Sequence, residues 1–128
     1  MTKKVLITRP RDQAEEFAAM VTACGAVPLF APLLDIQKVS HDIGTIPRVD
    51  ALVITSRNAV PDVIPDQWSS LPVYCVGAAT AKLYRVNGGH GPIEQAEDVS
   101  HLLPRLRAAP QASFLYLRGV DITENIAA

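Results

Sequence analysis

No stretch of this sequence approaches the roughly 20 consecutive apolar residues that a helix needs to cross a bilayer, although 48% of its 128 residues are hydrophobic. A membrane-spanning role is therefore not expected. Charge of one sign is lacking too. The 12 basic and 13 acidic side chains leave a formal net charge of −1, which argues against a dedicated nucleic-acid binder, normally marked by a basic excess or stripe. Cysteine is scarce, and Cys24 and Cys75 lie far apart with no metal-type spacing, so two buried thiols in a reducing compartment are expected. Lys3-Lys4 runs straight into a strand-like segment without a small-residue cleavage site. No secretory signal peptide is read, and the cytoplasm is the default location.

Several catalytic signatures are missing as well. There is no Gly-x-Ser-x-Gly elbow for a nucleophilic serine. Gly77-x-x-Thr80 lacks the lysine of a P-loop, and Gly88-Gly89-x-Gly91 follows a helical pattern where a dinucleotide fingerprint would follow a strand. His41, His90 and His101 fall in polar or loop segments and read as surface histidines. No cofactor and no metal ion are expected.

What is present is a repeated pattern. Val49 to Ile54 is a short, almost uninterrupted apolar run rich in β-branched residues, which suits a strand buried on both faces of a parallel sheet. It ends in Thr55-Ser56-Arg57-Asn58, where Ser56 can cap a helix start. Val73 to Val76 repeats the pattern and ends in Gly77-Ala78-Ala79-Thr80; Val5 to Ile7 ends in Thr8-Arg9-Pro10, and Phe114 to Leu117 ends in Arg118-Gly119. A strand running into a helix N-terminus is where an open α/β sheet usually places an anionic ligand.

In chain order, a strand over 3–8 precedes a helix from Pro10-Arg11-Asp12 to about Cys24, with Ala14, Phe17, Ala18, Val21 and Cys24 at helical spacing. Gly25 suits the left-handed C′ position that closes a helix, and Val27 to Phe30 completes a β-α-β unit. The Pro-marked stretch from Ala31 to Pro47 reads equally as a linker between domains or as a long surface loop. The helix after Ser56 is expected to be short, with Pro61 near its first turn and Pro65 ending it. A helix from Ala78 to about Asn87, a weak strand at Pro92-Ile93, and a helix capped by Asp98 or Ser100 follow, the last burying Leu102, Leu103 and Leu106, with Val99 a further candidate for that face. Phe114 to Arg118 reads as a further buried strand, with Tyr116 in the core. Asp121 to Ala128 reads as two turns of another helix. Alternating β and α segments imply a parallel sheet flanked by helices. A terminal helix of about eight residues is short against the mean of about 11–12, so the sequence is expected to be part of a longer protein.

Each candidate site has two readings. Gly77 lets the backbone approach a ligand and Thr80 can point a hydroxyl at it; the alternative is a tight turn with an ordinary helix start. Thr55, Ser56 and Asn58 either bind a carboxylate or serve as capping residues. Arg9 and Arg118 follow strands and can project guanidinium forks at the carboxyl edge of a sheet, or be ordinary surface arginines.

The ordered set of these pieces resembles the uroporphyrinogen-III synthase family. The resemblance is carried by Val5-Leu6-Ile7-Thr8-Arg9-Pro10, by Gly25 with Pro28 and Pro32, and by Asp50 to Val60. It continues through Val76-Gly77-Ala78-x-Thr80-Ala81, Gly88, and Leu115-Tyr116-Leu117-Arg118-Gly119. It implies a flavodoxin-like α/β protein of two domains joined by crossing linkers. Residues 1–34 would be the first β-α-β unit of one domain, and 35–128 most of the other, truncated at its last helix. The remainder of the first domain, with a tyrosine held over the cleft, would lie beyond residue 128. The implied reaction closes linear hydroxymethylbilane into uroporphyrinogen III with inversion of the last pyrrole ring, through loss of the terminal hydroxyl as water, an azafulvene cation and a spiro intermediate. This lyase chemistry of tetrapyrrole biosynthesis uses no cofactor or metal. By resemblance, Thr80 is the candidate catalytic residue. Arg9, Thr55, Ser56, Arg57, Asn58, Gly77, Ala78 and Arg118 are candidate contacts for a substrate with eight carboxylates. The full-length family is usually monomeric, while a fragment with an unpaired sheet edge can dimerise. Two other classes stay open at this stage: a non-catalytic anion- or effector-binding α/β domain, and an interaction half that needs a second chain.

Overall fold

The computed structural model describes residues 2–119; the helix expected at Asp121 to Ala128 lies outside them. The chain divides into two compact units, Met1–Asp42 and Ile43–Ala128.

In the first, β1 (Lys4–Ile7), α1 (Arg11–Ala23) and β2 (Val27–Phe30) form the expected β-α-β unit. The two strands pair in parallel, with Leu6 opposite Leu29 and Ile7 opposite Phe30. The spacing of Ala14, Ala18 and Val21 brings them onto one side of α1, where they bury against Ile7. Phe17 and Cys24, expected on the same stripe, are exposed. Cys24 is the C-cap, past the last turn of the packed face, so only Cys75 of the two thiols is buried. Gly25 has φ +79°. Its N–H donates to the Thr22 carbonyl, and that of Ala26 to the Val21 carbonyl, which is the paired closure of a Schellman ending.

The second unit carries β3 (Ala51–Ile54), α2 (Asp66–Ser69), β4 (Val73–Val76), α3 (Ala78–Val86), β5 (Ile93–Ala96), α4 (Val99–Ala108) and β6 (Phe114–Leu117). The four strands are all parallel, in the order β5-β4-β3-β6. Every residue of β3 is buried, at 0–2% exposure, as an apolar run without alternation demands. Leu52 and Ile54 face Val60, Ile64, Trp68 and Tyr84, from the β3–β4 connection and α3. Ala51 and Val53 face Leu102 of α4. The strands step outward from β3 to β5 with helices on one face, then reverse to β6 with α4 on the other. Right-handed crossovers require that change of face when the direction reverses.

Local chemistry explains the departures from expectation. After Ser56 the chain makes only a single 3-10 turn, Arg57–Ala59, because prolines at 61 and 65 forbid a continuing ladder. Pro65 then starts α2 as its N-cap. β5 extends past Ile93 to Ala96, since pairing to β4 supplies the hydrogen bonds its own sequence only weakly favours. β6 is half-buried at all four positions; its one partner strand among the described residues is β3, so the fully buried strand expected there is not found. Of the α4 residues expected inside, Leu102 is buried, whereas Val99, Leu103 and Leu106 are half-buried.

Candidate functional site

Because all four strands of the second unit run the same way, their carboxyl ends line one edge in the order β5, β4, β3, β6. The residues that follow them are Glu97-Asp98, Gly77-Ala78-Ala79-Thr80, Thr55-Ser56-Arg57-Asn58, and Arg118-Gly119. The strand order reverses between β3 and β6, the point where open α/β sheets bind ligands. Among the described residues, the ends of β4, β3 and β6 carry hydroxyls, an amide and two arginines and no acidic side chain, and acids enter only at β5. Eight of the nine predicted site residues are gathered here. Arg9 belongs to the first unit, at the end of β1, with its guanidinium 5.5 Å from the centre of the Phe17 ring.

At β4 the turn is made by Gly77, whose φ of +86° and ψ of 146° leave the α3 N-terminus without a side-chain cap. A residue with a Cβ would be strained at that φ. The first-turn N–H groups of a helix lack partners within the helix, and with the macrodipole they favour an anion. Thr80, in this first turn, is 3% exposed and is the only buried polar residue described. Its hydroxyl has no side-chain hydrogen bond among the described residues, and no fully enclosed side-chain nitrogen or oxygen lacks a partner. The small accessible remainder of Thr80 therefore includes its hydroxyl. It lies on the Gly77 side, where a Cβ on the glycine would stand 4.0 Å away.

Ser56 is arranged differently. Its Oγ accepts a hydrogen bond from the Asn58 N–H at 3.2 Å, so the capping role applies here, on a turn of only three residues. Next to it Thr55 Oγ1 and the Tyr116 hydroxyl are hydrogen-bonded at 3.0 Å. Tyr116 was expected to be core. Its ring does pack with the Ala51, Val53, Tyr74 cluster, yet its hydroxyl reaches the strand ends. Arg118 is exposed and donates to the Gly119 carbonyl at 3.0 Å.

At β5, Asp98 caps α4. Its Oδ1 accepts from the His101 N–H at 2.9 Å and lies 2.7 Å from His101 Nδ1. That side-chain hydrogen bond, above all, lowers the Asp98 pKa and raises that of His101. The histidine is exposed as expected, but it is paired. Elsewhere, burial pushes the Cys75 thiol up, which disfavours the thiolate a nucleophile needs. Burial also raises the Tyr84 phenol, against a smaller opposing effect of Arg85. Among the described residues no three His, Cys, Asp or Glu side chains come together in a way that could hold a metal ion. No helix among them is long and apolar enough to cross a membrane.

A parallel sheet flanked by helices, with a donor-rich strand-end edge, makes this an open α/β protein. The chain belongs to the uroporphyrinogen-III synthase family: the family model described as uroporphyrinogen-III synthase HemD matches residues 15–128. It is also similar to the uroporphyrinogen-III synthase of Synechococcus elongatus, at 33% identity over 68% of this chain. The chain spans 38% of that relative's length.

Proposed function

We propose that this chain forms part of a uroporphyrinogen-III synthase, which closes hydroxymethylbilane with inversion of its last pyrrole ring and loss of water. The reading is supported by family membership. Among features of the fold, it rests mainly on the start of α3, which has no side-chain cap, with the buried Thr80, whose hydroxyl has no partner among the described residues, beside it. A linear substrate with eight carboxylates is best held by many N–H and hydroxyl donors and a few cations. In this reading Gly77 and Ala78 offer backbone, Thr55, Ser56, Arg57 and Asn58 flank them, and Arg118 adds charge. Arg9, at the end of β1, is a further candidate contact, and the Ala31–Ile36 stretch is the candidate first crossing linker. Thr80 is the candidate donor to the leaving hydroxyl, as general acid or through an ordered water. The larger part of catalysis would be conformational, holding the flexible bilane so that inverted attack outruns spontaneous closure. The substrate is small and soluble, and the proposed setting is the cytoplasm, with no nucleic-acid partner.

The test supplies fresh hydroxymethylbilane and separates type III from type I porphyrin after oxidation. Type III product from this chain would support the reading and show that it holds enough of the cleft. If neither this chain nor the longer protein containing it forms type III above the spontaneous type I background, the reading is wrong.

A further inference from the structure

The hydroxyls of Thr55 and Tyr116 are 3.0 Å apart, and either can be the donor. Together they carry two O–H hydrogens, and one hydrogen bond between them uses one. Whichever residue donates inside the pair, one hydrogen is left over. Neither side chain has a further hydrogen-bond partner among the described residues. The pair is therefore a donor toward whatever lies outside it.

The other two tyrosines behave differently. Tyr74 donates to Gln111 Oε1 at 2.7 Å and Tyr84 to the Trp68 carbonyl at 3.3 Å, so each tethers two parts of the unit. Tyr116 tethers only to a residue that is itself at the sheet edge. Its position on β6 is opposite Val53, yet its hydroxyl meets Thr55, two residues nearer the carboxyl end. It is aimed at the place where strand order reverses. Packing does not call for the hydroxyl, because a phenylalanine ring would fill the same space.

Among the described residues, the side chains at the ends of β3, β4 and β6 include no acid to accept the leftover hydrogen, which leaves it for solvent or a ligand. Arg57 follows Thr55 by two residues and Arg118 follows Tyr116 by two, the first half-buried and the second exposed. Such an edge complements an anion that brings its own oxygens. We infer that the Thr55–Tyr116 hydroxyl pair is a carboxylate-binding subsite, with Tyr116 a direct substrate contact and Thr55 the residue that orients its hydroxyl. The inference rests on the synthase reading for the identity of the carboxylate. The donor count does not depend on that reading.

The experiment titrates uroporphyrin III, which carries the eight carboxylates, into the full chain and its variants and follows porphyrin fluorescence. Tyr116→Phe and Thr55→Val should each weaken binding about tenfold, the loss expected for one hydrogen bond to a charged group. Thr55→Ser should restore binding to within about twofold, and the double variant should fall little below either single one, because the two act as a unit. Thermal midpoints should stay close to wild type. A folded Tyr116→Phe variant that binds like wild type overturns the subsite, as does a wild type that does not bind. Type III formation by the wild type is measured alongside. Weakened binding in Tyr116→Phe, with no type III activity from either this chain or the longer protein containing it, would keep the subsite and discard the synthase reading. Type III activity with unchanged Tyr116→Phe binding would do the reverse.

Discussion

The two compact units pair parallel strands by the same rules and cover them very differently. In the second, β3 has helices or packed loops on both faces, and none of its residues exceeds 2% exposure. In the first, α1 covers one face of β1 and β2, while the opposite face presents Leu6 at 62%, Val27 at 41% and Leu29 at 42% to solvent. The following segment adds Leu33, Leu34, Ile36 and Val39, all exposed. The same sequence signal, a short apolar run, therefore stands for full burial in one unit and half burial in the other. An apolar strand specifies that it wants two covered faces; only the chain around it determines whether it has them.

Truncation tests that difference most directly. Leu52→Ala removes a side chain with no exposure and should cost about 2–5 kcal/mol, read by urea unfolding. Leu6→Ala in this chain should lie within about 0.5 kcal/mol of wild type, as a surface change does. Equal costs would show that the first unit's open face is covered in solution. Gly25→Ala sharpens the comparison from the other side. Its φ of +79° makes a side chain cost about 1–2 kcal/mol, concentrated in the first unit. Hydrogen exchange should quicken at Lys4–Ile7 and Val27–Phe30 and stay slow at Ala51–Ile54; uniform acceleration would mean that the units unfold as one.

Thr80→Val separates function from packing within the second unit. The valine keeps the shape of a buried side chain whose hydroxyl bonds nothing described, so unfolding should change by less than about 1 kcal/mol. Turnover to type III product should fall about tenfold, the loss expected for one hydrogen bond. Unchanged turnover removes Thr80 from the site.

The smallest effect concerns Asp98 and His101. His101 is raised above its ordinary 6.5 by the hydrogen bond to Asp98 and by its charge. Its share of stability is complete below the unfolded value and disappears as pH rises through the folded one. Asp98 is lowered from 3.8, chiefly by the His101 side chain, so its share is complete above 3.8 and is lost as pH falls through the depressed value. The pair contributes fully between those two ordinary values. His101→Ala should lower the thermal midpoint slightly at about pH 5.5 and hardly at all at about pH 9. A difference that is the same at both pH values would rule out the side-chain ion pair, since the cap on the backbone N–H of residue 101 survives the substitution.

Much of this was legible in the chain. The uninterrupted run at Ala51–Ile54 announced a doubly covered parallel strand, Gly25 a left-handed helix ending, and Gly77 a strand-to-helix turn, because backbone sterics and periodicity act locally. Prolines at 61 and 65 foretold a short helix after Ser56, though not that Pro65 would begin the next one. Side-chain fate was less legible. Cys24 and Phe17 share the helical spacing of Ala14, Ala18 and Val21, and only the width of the packed contact left them outside. Tyr116 and Tyr74 are both aromatic residues within apolar strands, and nothing local tells a tether from a donor.

What the sequence by itself determined was the alternation of strand and helix and the chemistry waiting at each strand end. Propensity, glycine and proline geometry and apolar period are properties of a few neighbouring residues. What only the tertiary structure decided was the order β5-β4-β3-β6. That order depends on which strands bury each other's faces across dozens of residues. It alone brings Thr55 within hydrogen-bonding distance of Tyr116, 61 residues away, at the reversal between β3 and β6.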